Sequence, residues 1–425
     1  MAGFRPRMAA MTTQQASWVR SVAIHSAIFI FACIMVIARR PDAVFHAQFY
    51  AEDGRYWFAN AYNLGWWHAL LVTRGGYLQT FPRLGAAIAL LVPFSIAPLV
   101  LNLIAIAVQA IPVNILLSAR SAEWGNLRFR AVLAAFYLAL PNTLEISAGI
   151  TESQWILALC AFLLLVALRP ASRLAKVFDL TICTLSGLTG PFCLLLLPIA
   201  TFLMRKRRSS ILPVAVFAAA SLIQAIELLA HPGSRGTAPL GASLEGFIRI
   251  LAGHIYLGTI LGANGTASKS AHHLVLFFAC VVTLCTALIR RCFKEAPANM
   301  RIFLLFAAAI FMASLASSLL QPVPGKTVWQ LLASGSSGCH YWFLPTLAFA
   351  WSLLWCALDR SRAVRLISRA LLFLMCIGLF RDWRHPAFTD MSFATYARDF
   401  ESAPSGTIAI IPINPTGWHM QLSKH

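Results

Sequence analysis

Apolar runs about as long as a bilayer is thick, separated by short basic segments, make up most of this chain. The first runs from Ser21 to Ala38. A stretch of that length reads as a membrane-spanning helix, because a backbone in lipid must satisfy its hydrogen bonds within its own segment. Arg120, Arg128 and Arg130 form one basic segment, and Arg169, Arg173 and Lys176 a second. Arg205-Lys206-Arg207-Arg208 is the strongest, followed by Arg290, Arg291 and Lys294, then Arg360, Arg362 and Arg365. Placing all of them in the cytoplasm, as the positive-inside rule directs, predicts about eleven crossings. They fall at 21–38, 98–118, 129–141, 153–168, 177–189, 191–204, 211–229, 272–290, 301–320, 341–358 and 364–380. The N-terminus is then cytoplasmic and the C-terminus extracytoplasmic.

Three stretches depart from this rhythm. Residues 84–96 are apolar but short and contain Pro93, and are expected as a half-inserted or bent lead-in to the next span. Gly187-Leu188-Thr189-Gly190-Pro191 separates two short spans. Such a break is tolerated at depth where it lines a cavity or is buried in protein, and a plain helical hairpin accounts for it equally well. Phe247–Leu261 reads as an interfacial stretch within an outer segment of about 230–270. The fold class is thus an all-α polytopic bundle over residues 1–380 with a long outer loop at 39–83, followed by a short extracytoplasmic tail at 381–425.

Composition narrows the class. The chain is 59% hydrophobic and 12% charged, against about a quarter charged in soluble domains. Its net charge of +19 would suit nucleic acid, but the cations sit between apolar runs, and no nucleic-acid module or Walker-type loop is present. Most of the ten cysteines fall inside apolar runs and read as small core residues, not a disulfide framework. Arg5, Arg7 and Arg20 precede the first span, and Arg39-Arg40-Pro41 stands where a signal peptide would carry small residues. An uncleaved signal anchor is expected.

The candidate chemistry lies in the outer loops. Glu52 and Asp53 stand side by side just past the first span, in a chain with only 15 acidic residues. Unpaired burial of a carboxylate is costly, so the pair must be solvated, paired or used. Mutual repulsion would raise one pKa and suit it to general-base work; capping a helix is the alternative, needs only one of them, and can coexist with that role. Tyr56, Trp57, Ala59, Tyr62 and Trp66-Trp67 then suit a helix in the interface. In Thr73-Arg74-Gly75-Gly76-Tyr77 and Phe81-Pro82-Arg83, Arg74 and Arg83 are candidate phosphate ligands, and Tyr77 is a substrate-binding candidate. Glu152, Gln154 and Trp155 suit sugar hydroxyls and a stacked sugar face, whereas Glu145 reads more simply as a helix cap. Lys326 and His340 are candidate phosphate ligands in the last loop, beside the fragment Ser334–Gly338. No HExxH or comparable metal spacing occurs.

A polytopic chain with Glu52-Asp53 in a long first outer loop resembles the GT-C superfamily of membrane glycosyltransferases, which carries a variable acidic motif at this place. The resemblance covers the layout of the first half, through Gly190-Pro191. It implies a bundle with interfacial helices in that loop, and transfer of a sugar from a polyprenyl-phosphate donor to a glycan or lipid acceptor outside the membrane, usually with inversion. Only Glu52 and Asp53 match the motif, in the role of general base. The pair is adjacent, not spaced, so no cofactor is assigned and a divalent metal is left open. The tail is too short for the large periplasmic domain of oligosaccharyltransferases. A bacterial inner membrane is the expected location. The rival readings are a flippase or transporter of lipid-linked sugars and an O-antigen polymerase-like protein.

Overall fold

The computed structural model describes residues 5–206, 208–231, 238–267, 275–320, 323–334 and 338–425. His272, His273, the start of the expected span 272–290, and residues 335–337 of the last loop lie outside them. Helices occupy the places of the expected spans: α1 (Arg5–Arg39), α2 (Ala97–Leu117), α3 (Leu127–Ala139), α4 (Ser153–Val166), α5 (Arg173–Gly187), α6 (Cys193–Arg205), α7 (Ile211–Ala230), α8 (Val275–Glu295), α9 (Ala298–Ala316), α10 (Phe343–Cys356) and α11 (Arg362–Arg381). Local chemistry sets several ends. Asn126 and Ser172 cap α3 and α5 by accepting from Phe129 N and Ala175 N, and Pro41 follows the end of α1.

Among the described residues, seven helices are long and apolar enough to cross a membrane. Together with the predominantly helical architecture, this makes the chain a polytopic helical membrane protein. α4 and α10 are shorter for a physical reason. Every residue of α4 is buried, as is nearly all of α10, so protein surrounds them where lipid would otherwise have set their length. The stretch expected at the interface is helical over Leu244–Ile250, π-helical over Leu251–Leu257 and helical again over Gly258–Ala267. Over Leu244–Gly262 it is one of the seven by length and apolarity. Yet Phe247 meets Phe311 near the end of α9 at 6.0 Å, and Gly262 faces Asp382 just past α11. Both of its ends therefore reach the same end of the bundle.

The Gly-Pro break is filled by the first loop. Gln79 bridges Thr189, Gly190 N donates to Leu78 O, and Thr80 N donates to Leu188 O. Gln224, fully buried on α7, clamps this junction. Its Oε1 accepts from Leu78 N at 2.8 Å, and its Nε2 reaches the carbonyls of Leu78, Gly187 and Gly190 at 3.2–3.3 Å. Gly190 has φ +79°, and a Cβ there would stand 2.5 Å from Gln154 Oε1. Residues 84–96 form the end of a short helix, Thr80–Ala89, then a turn at Pro93 and a 3-10 turn, Phe94–Ile96, leading into α2.

The residues after Arg381 do not trail off as a polar tail. A helix, Phe393–Ser402, precedes an antiparallel hairpin, β1 (Ile408–Ile413) and β2 (Trp418–Ser423), with Ile408 opposite Ser423 and Ile413 opposite Trp418. The all-α expectation therefore misses a small sheet. The hairpin and its helix share a second core with the first loop, in which Phe49, Phe58, Phe94, Phe393 and Phe400 stack or meet edge to edge.

Gln224→Leu strips partners from several buried backbone groups, each worth about 1–3 kcal/mol when left unsatisfied. A clear drop in the thermal unfolding midpoint of the detergent-purified protein is expected; an unchanged midpoint would show that the clamp is dispensable.

Candidate functional site

The ends of α1, α3, α9 and α11 and the starts of α2, α4 and α10 meet at one end of the bundle. There the long loops converge on a cluster of carboxylates around one histidine. Arg39 and Arg40 prepare the ground at the end of α1. Arg39 donates to Leu138 O and Leu140 O at 2.8 and 3.0 Å, and Arg40 to Leu144 O and Ser147 O at 2.7 and 3.1 Å. Two buried guanidinium groups thus satisfy the carbonyls of an irregular loop that has no ladder of its own. That loop carries Glu145, Thr151 and Glu152.

Glu145 and His340 form the centre. Glu145 Oε1 accepts from Gly338 N at 2.9 Å, and Oε2 lies 2.7 Å from His340 Nδ1. Glu152 Oε1 is 3.5 Å from the same nitrogen, and Glu152 Oε2 accepts from Trp155 Nε1 at 2.9 Å. The three side chains are only 13–17% exposed. Burial disfavours the imidazolium, but Glu152 and Glu145 outweigh it and raise His340 to about 9. Burial likewise works against the Glu145 anion, yet the His340 charge and the bonds to it bring Glu145 down to about 2. For Glu152 burial prevails, reinforced by Glu145 and Glu52 against the His340 charge, and its pKa rises to about 7.

The acidic pair divides into two environments. It opens a π-helical turn, Asp53–Phe58, a geometry frequent at functional sites. Asp53 is buried, 3% exposed, and its Oδ1 accepts from both the backbone N and the Oγ1 of Thr151. Burial is the largest cause of its rise to about 7. The repulsion from Glu52 expected from adjacency is a lesser contribution in the same direction. Glu52 is half-buried and makes no hydrogen bond or ion pair among the described residues. Its charge nevertheless acts on Asp53, Glu152 and His340.

Arg83 is connected to the acidic turn through Trp57 and Thr151. Its guanidinium covers the Trp57 ring at 4.9 Å, and Trp57 Nε1 donates to Thr151 Oγ1 at 2.7 Å. Arg83 is 1% exposed, and its Nε and Nη1 have no hydrogen-bond partner among the described residues. Burial lowers it to about 10. Gln79, one helical turn earlier, donates to Gln154 Oε1 while its own buried Oε1 stays unsatisfied among the described residues. One helical turn apart, a cation and an acceptor of this kind have the chemistry to meet an anionic group and a hydroxyl.

Other candidates lie elsewhere or are already engaged. Arg74 is exposed and stacks over Tyr56 at 4.0 Å, on a turn closed by Gly75 and Gly76 with φ +66° and +81°. Tyr77 is buried near Tyr341. Trp155 offers no free face to a sugar: it is enclosed by Phe192, His340 and Tyr341 at 4.8, 5.6 and 5.7 Å. Lys326 is exposed in a segment held against residues 239–241 and contacts none of the clustered acids. Of the aromatic run, Trp57 and Ala59 are buried while Trp66 and Trp67 are exposed. Glu145 is central, where the sequence suggested a cap; a second acid seven residues before Glu152 in a chain poor in acids was the available signal. Thr151, Arg40 and Gln79 gave none. No group of three or more His, Cys, Asp or Glu side chains is placed to hold a metal ion among the described residues.

No protein-family model matches the chain, and no curated protein matches it with significant similarity.

The titrations of Asp53, Glu152 and His340 point the same way. Asp53 and Glu152, raised from 3.8 and 4.5 to about 7, contribute stability at low pH that is lost as they ionise through 7. His340, raised from 6.5 to about 9, contributes below 6.5 and loses that contribution through 9. Glu145, lowered to about 2, acts oppositely, but only below 4.5. The unfolding midpoint should therefore fall between about pH 4.5 and pH 9. His340→Gln should flatten the upper part of that fall, and a parallel slope in the variant would contradict this assignment.

Proposed function

We propose that this protein is a membrane glycosyltransferase of the GT-C type that moves a sugar from a polyprenyl-phosphate donor to an acceptor hydroxyl. The observation carrying this reading is that two groups lead to Thr151. Glu52, half-buried and without a hydrogen bond among the described residues, adjoins Asp53, which accepts from Thr151. Arg83, buried with Nε and Nη1 unbonded among the described residues, covers Trp57, which donates to the same Thr151. Sugar transfer from a lipid phosphate requires a base at the acceptor and a cation at the departing phosphate. Glu52 is the base because its oxygens are uncommitted, whereas Asp53 is held by Thr151 and positions the turn. Of the three cations considered from sequence, Arg83 serves the phosphate. Arg74 is exposed to solvent whereas Arg83 is buried, and Lys326 stands away from the acids.

In the reaction, Glu52 takes the proton of the acceptor hydroxyl while the oxygen attacks the anomeric carbon. The bond from that carbon to the phosphate oxygen breaks, and its electron pair leaves with the polyprenyl phosphate, whose added charge Arg83 meets. Attack opposite the leaving group inverts the anomeric centre. The Glu145–His340 pair keeps a fixed charge distribution beside the acidic turn. The basic segments lie at the opposite end of the bundle from this site, which supports about eleven crossings and an extracytoplasmic active face in a bacterial inner membrane.

The test is transfer from a synthetic polyprenyl-phosphate sugar in proteoliposomes. Glu52→Gln should lower kcat by about 100-fold or more. Asp53→Asn should cost less, since an amide oxygen still accepts from Thr151. Arg83→Gln should raise the donor KM about tenfold or more, the loss of a charge-assisted bond worth about 1.5–3 kcal/mol. Full activity in Glu52→Gln would refute the assignment, and movement of intact donor across the bilayer without transfer would favour a flippase.

A further inference from the structure

Ala51, immediately before the acidic pair, has φ +44°. L residues rarely hold this left-handed conformation unless their surroundings impose it, and such residues cluster at functional sites. What imposes it here comes from the far end of the chain. Ala51 N donates to Asn414 O, and Asn414 N donates to Phe49 O at 3.1 Å, so Tyr50 and Asn414 form an isolated parallel bridge. Asn414 is itself fixed: it is 3% exposed, and its Nδ2 donates to Thr389 O at 2.9 Å, a carbonyl that also receives Gln48 Nε2 at 3.2 Å.

The same hairpin holds the other side of the pair. A Cβ on Gly54 would stand 3.1 Å from Ile413 Cδ1 and 2.9 Å from Phe49 Cβ, so the turn after Asp53 is closed down on β1. Farther along, Asn63 Nδ2 donates to Gln421 O at 2.8 Å, and Asn63 Oδ1 accepts from Ser423 N at 2.9 Å. Glu52 and Asp53 are thus bracketed, before and after, by one two-stranded element from the C-terminal tail. The two residues have no comparable brace from their own loop, where Asp53 N to Tyr50 O and Arg55 N to Ala51 O only begin the helical turn.

We propose that the C-terminal hairpin is a positioning clamp for the acidic pair, with Asn414 the positioning residue that keeps Ala51 left-handed and so sets the direction of Glu52. Asn414 touches neither substrate nor reacting atoms. The inference rests on the transfer reading for its kinetic consequence, but its structural consequence stands apart from it. Loosening Asn414 lets Ala51 relax toward ordinary backbone angles, which turns the acidic pair away without disturbing the bundle. A glycine at position 51 has no such preference to relax to.

The experiment uses the full-length protein in proteoliposomes and compares Asn414→Ala, Ala51→Gly and the double variant. Amide hydrogen exchange over residues 49–54 is read alongside kcat and donor KM. Asn414→Ala should expose these amides to faster exchange and lower kcat about tenfold, with KM changed less than about twofold. The double variant should recover part of the lost kcat, because glycine keeps the left-handed turn without being held. Unchanged exchange at 49–54 in Asn414→Ala would overturn the clamp. So would a kcat loss that Ala51→Gly leaves untouched and that comes with a lowered unfolding midpoint, since that is a merely structural effect. If the unmodified protein transfers no sugar, the exchange data still decide the clamp, and only the transfer reading fails.

Discussion

The buried contact between Glu145 and His340 joins residues 195 positions apart, and the architecture of the site follows from it. Neither charge could stay in so enclosed a place alone, because removing one partner of a buried pair leaves an uncompensated ion. Once they meet, the last loop is drawn onto the second. Gly338 N is spent on Glu145, and the His340 ring comes to lie against Trp155 and Tyr341. Tyr341 in turn bonds both the N and the O of Leu319 beyond α9. One ion pair therefore sets how the starts of α4 and α10 and the end of α9 lie relative to one another.

Around that contact the protein uses its charges with economy. The arginines ending α1 are bound to carbonyls and aromatic faces, with Arg40 over Phe388 at 3.9 Å, not to carboxylates. The acids beside them are left to the histidine, to Thr151 and to Trp155. Among the described residues this division leaves Glu52 without a bonded partner and Arg83 without a carboxylate. Two acids that burial carries to about 7, Asp53 and Glu152, give the site a variable charge near neutrality, and the His340 cation damps it. Such an arrangement suits chemistry in which a proton leaves one group as charge builds on another.

The expected spans have helices at their places because apolar length is a local property of the chain. The acidic pair was also visible, since two adjacent carboxylates are rare in a chain with so few. The tail was misread because its apolar residues are sparse: Phe393, Phe400, Ile411 and Ile413 look incidental until Phe49, Phe58 and Phe94 supply the other half of their core. Trp155 was misread for a related reason. An aromatic at a helix mouth looks available, but three other rings fill the space around it.

By itself the sequence determined a polytopic helical bundle, the end of each helix at which its basic residues gather, and the presence of an acidic turn after the first span. Each of these depends on residues within a few positions of one another, through bilayer length, charge and capping. Tertiary structure alone decided, among the described residues, which acid is spent and which is uncommitted, that Glu145 belongs with His340, that Arg83 is enclosed without a counterion, and that the hairpin packs against the acidic turn. These are contacts between segments tens to hundreds of residues apart, and burial and pairing, which set what a carboxylate or guanidinium can do, exist only once those segments have met.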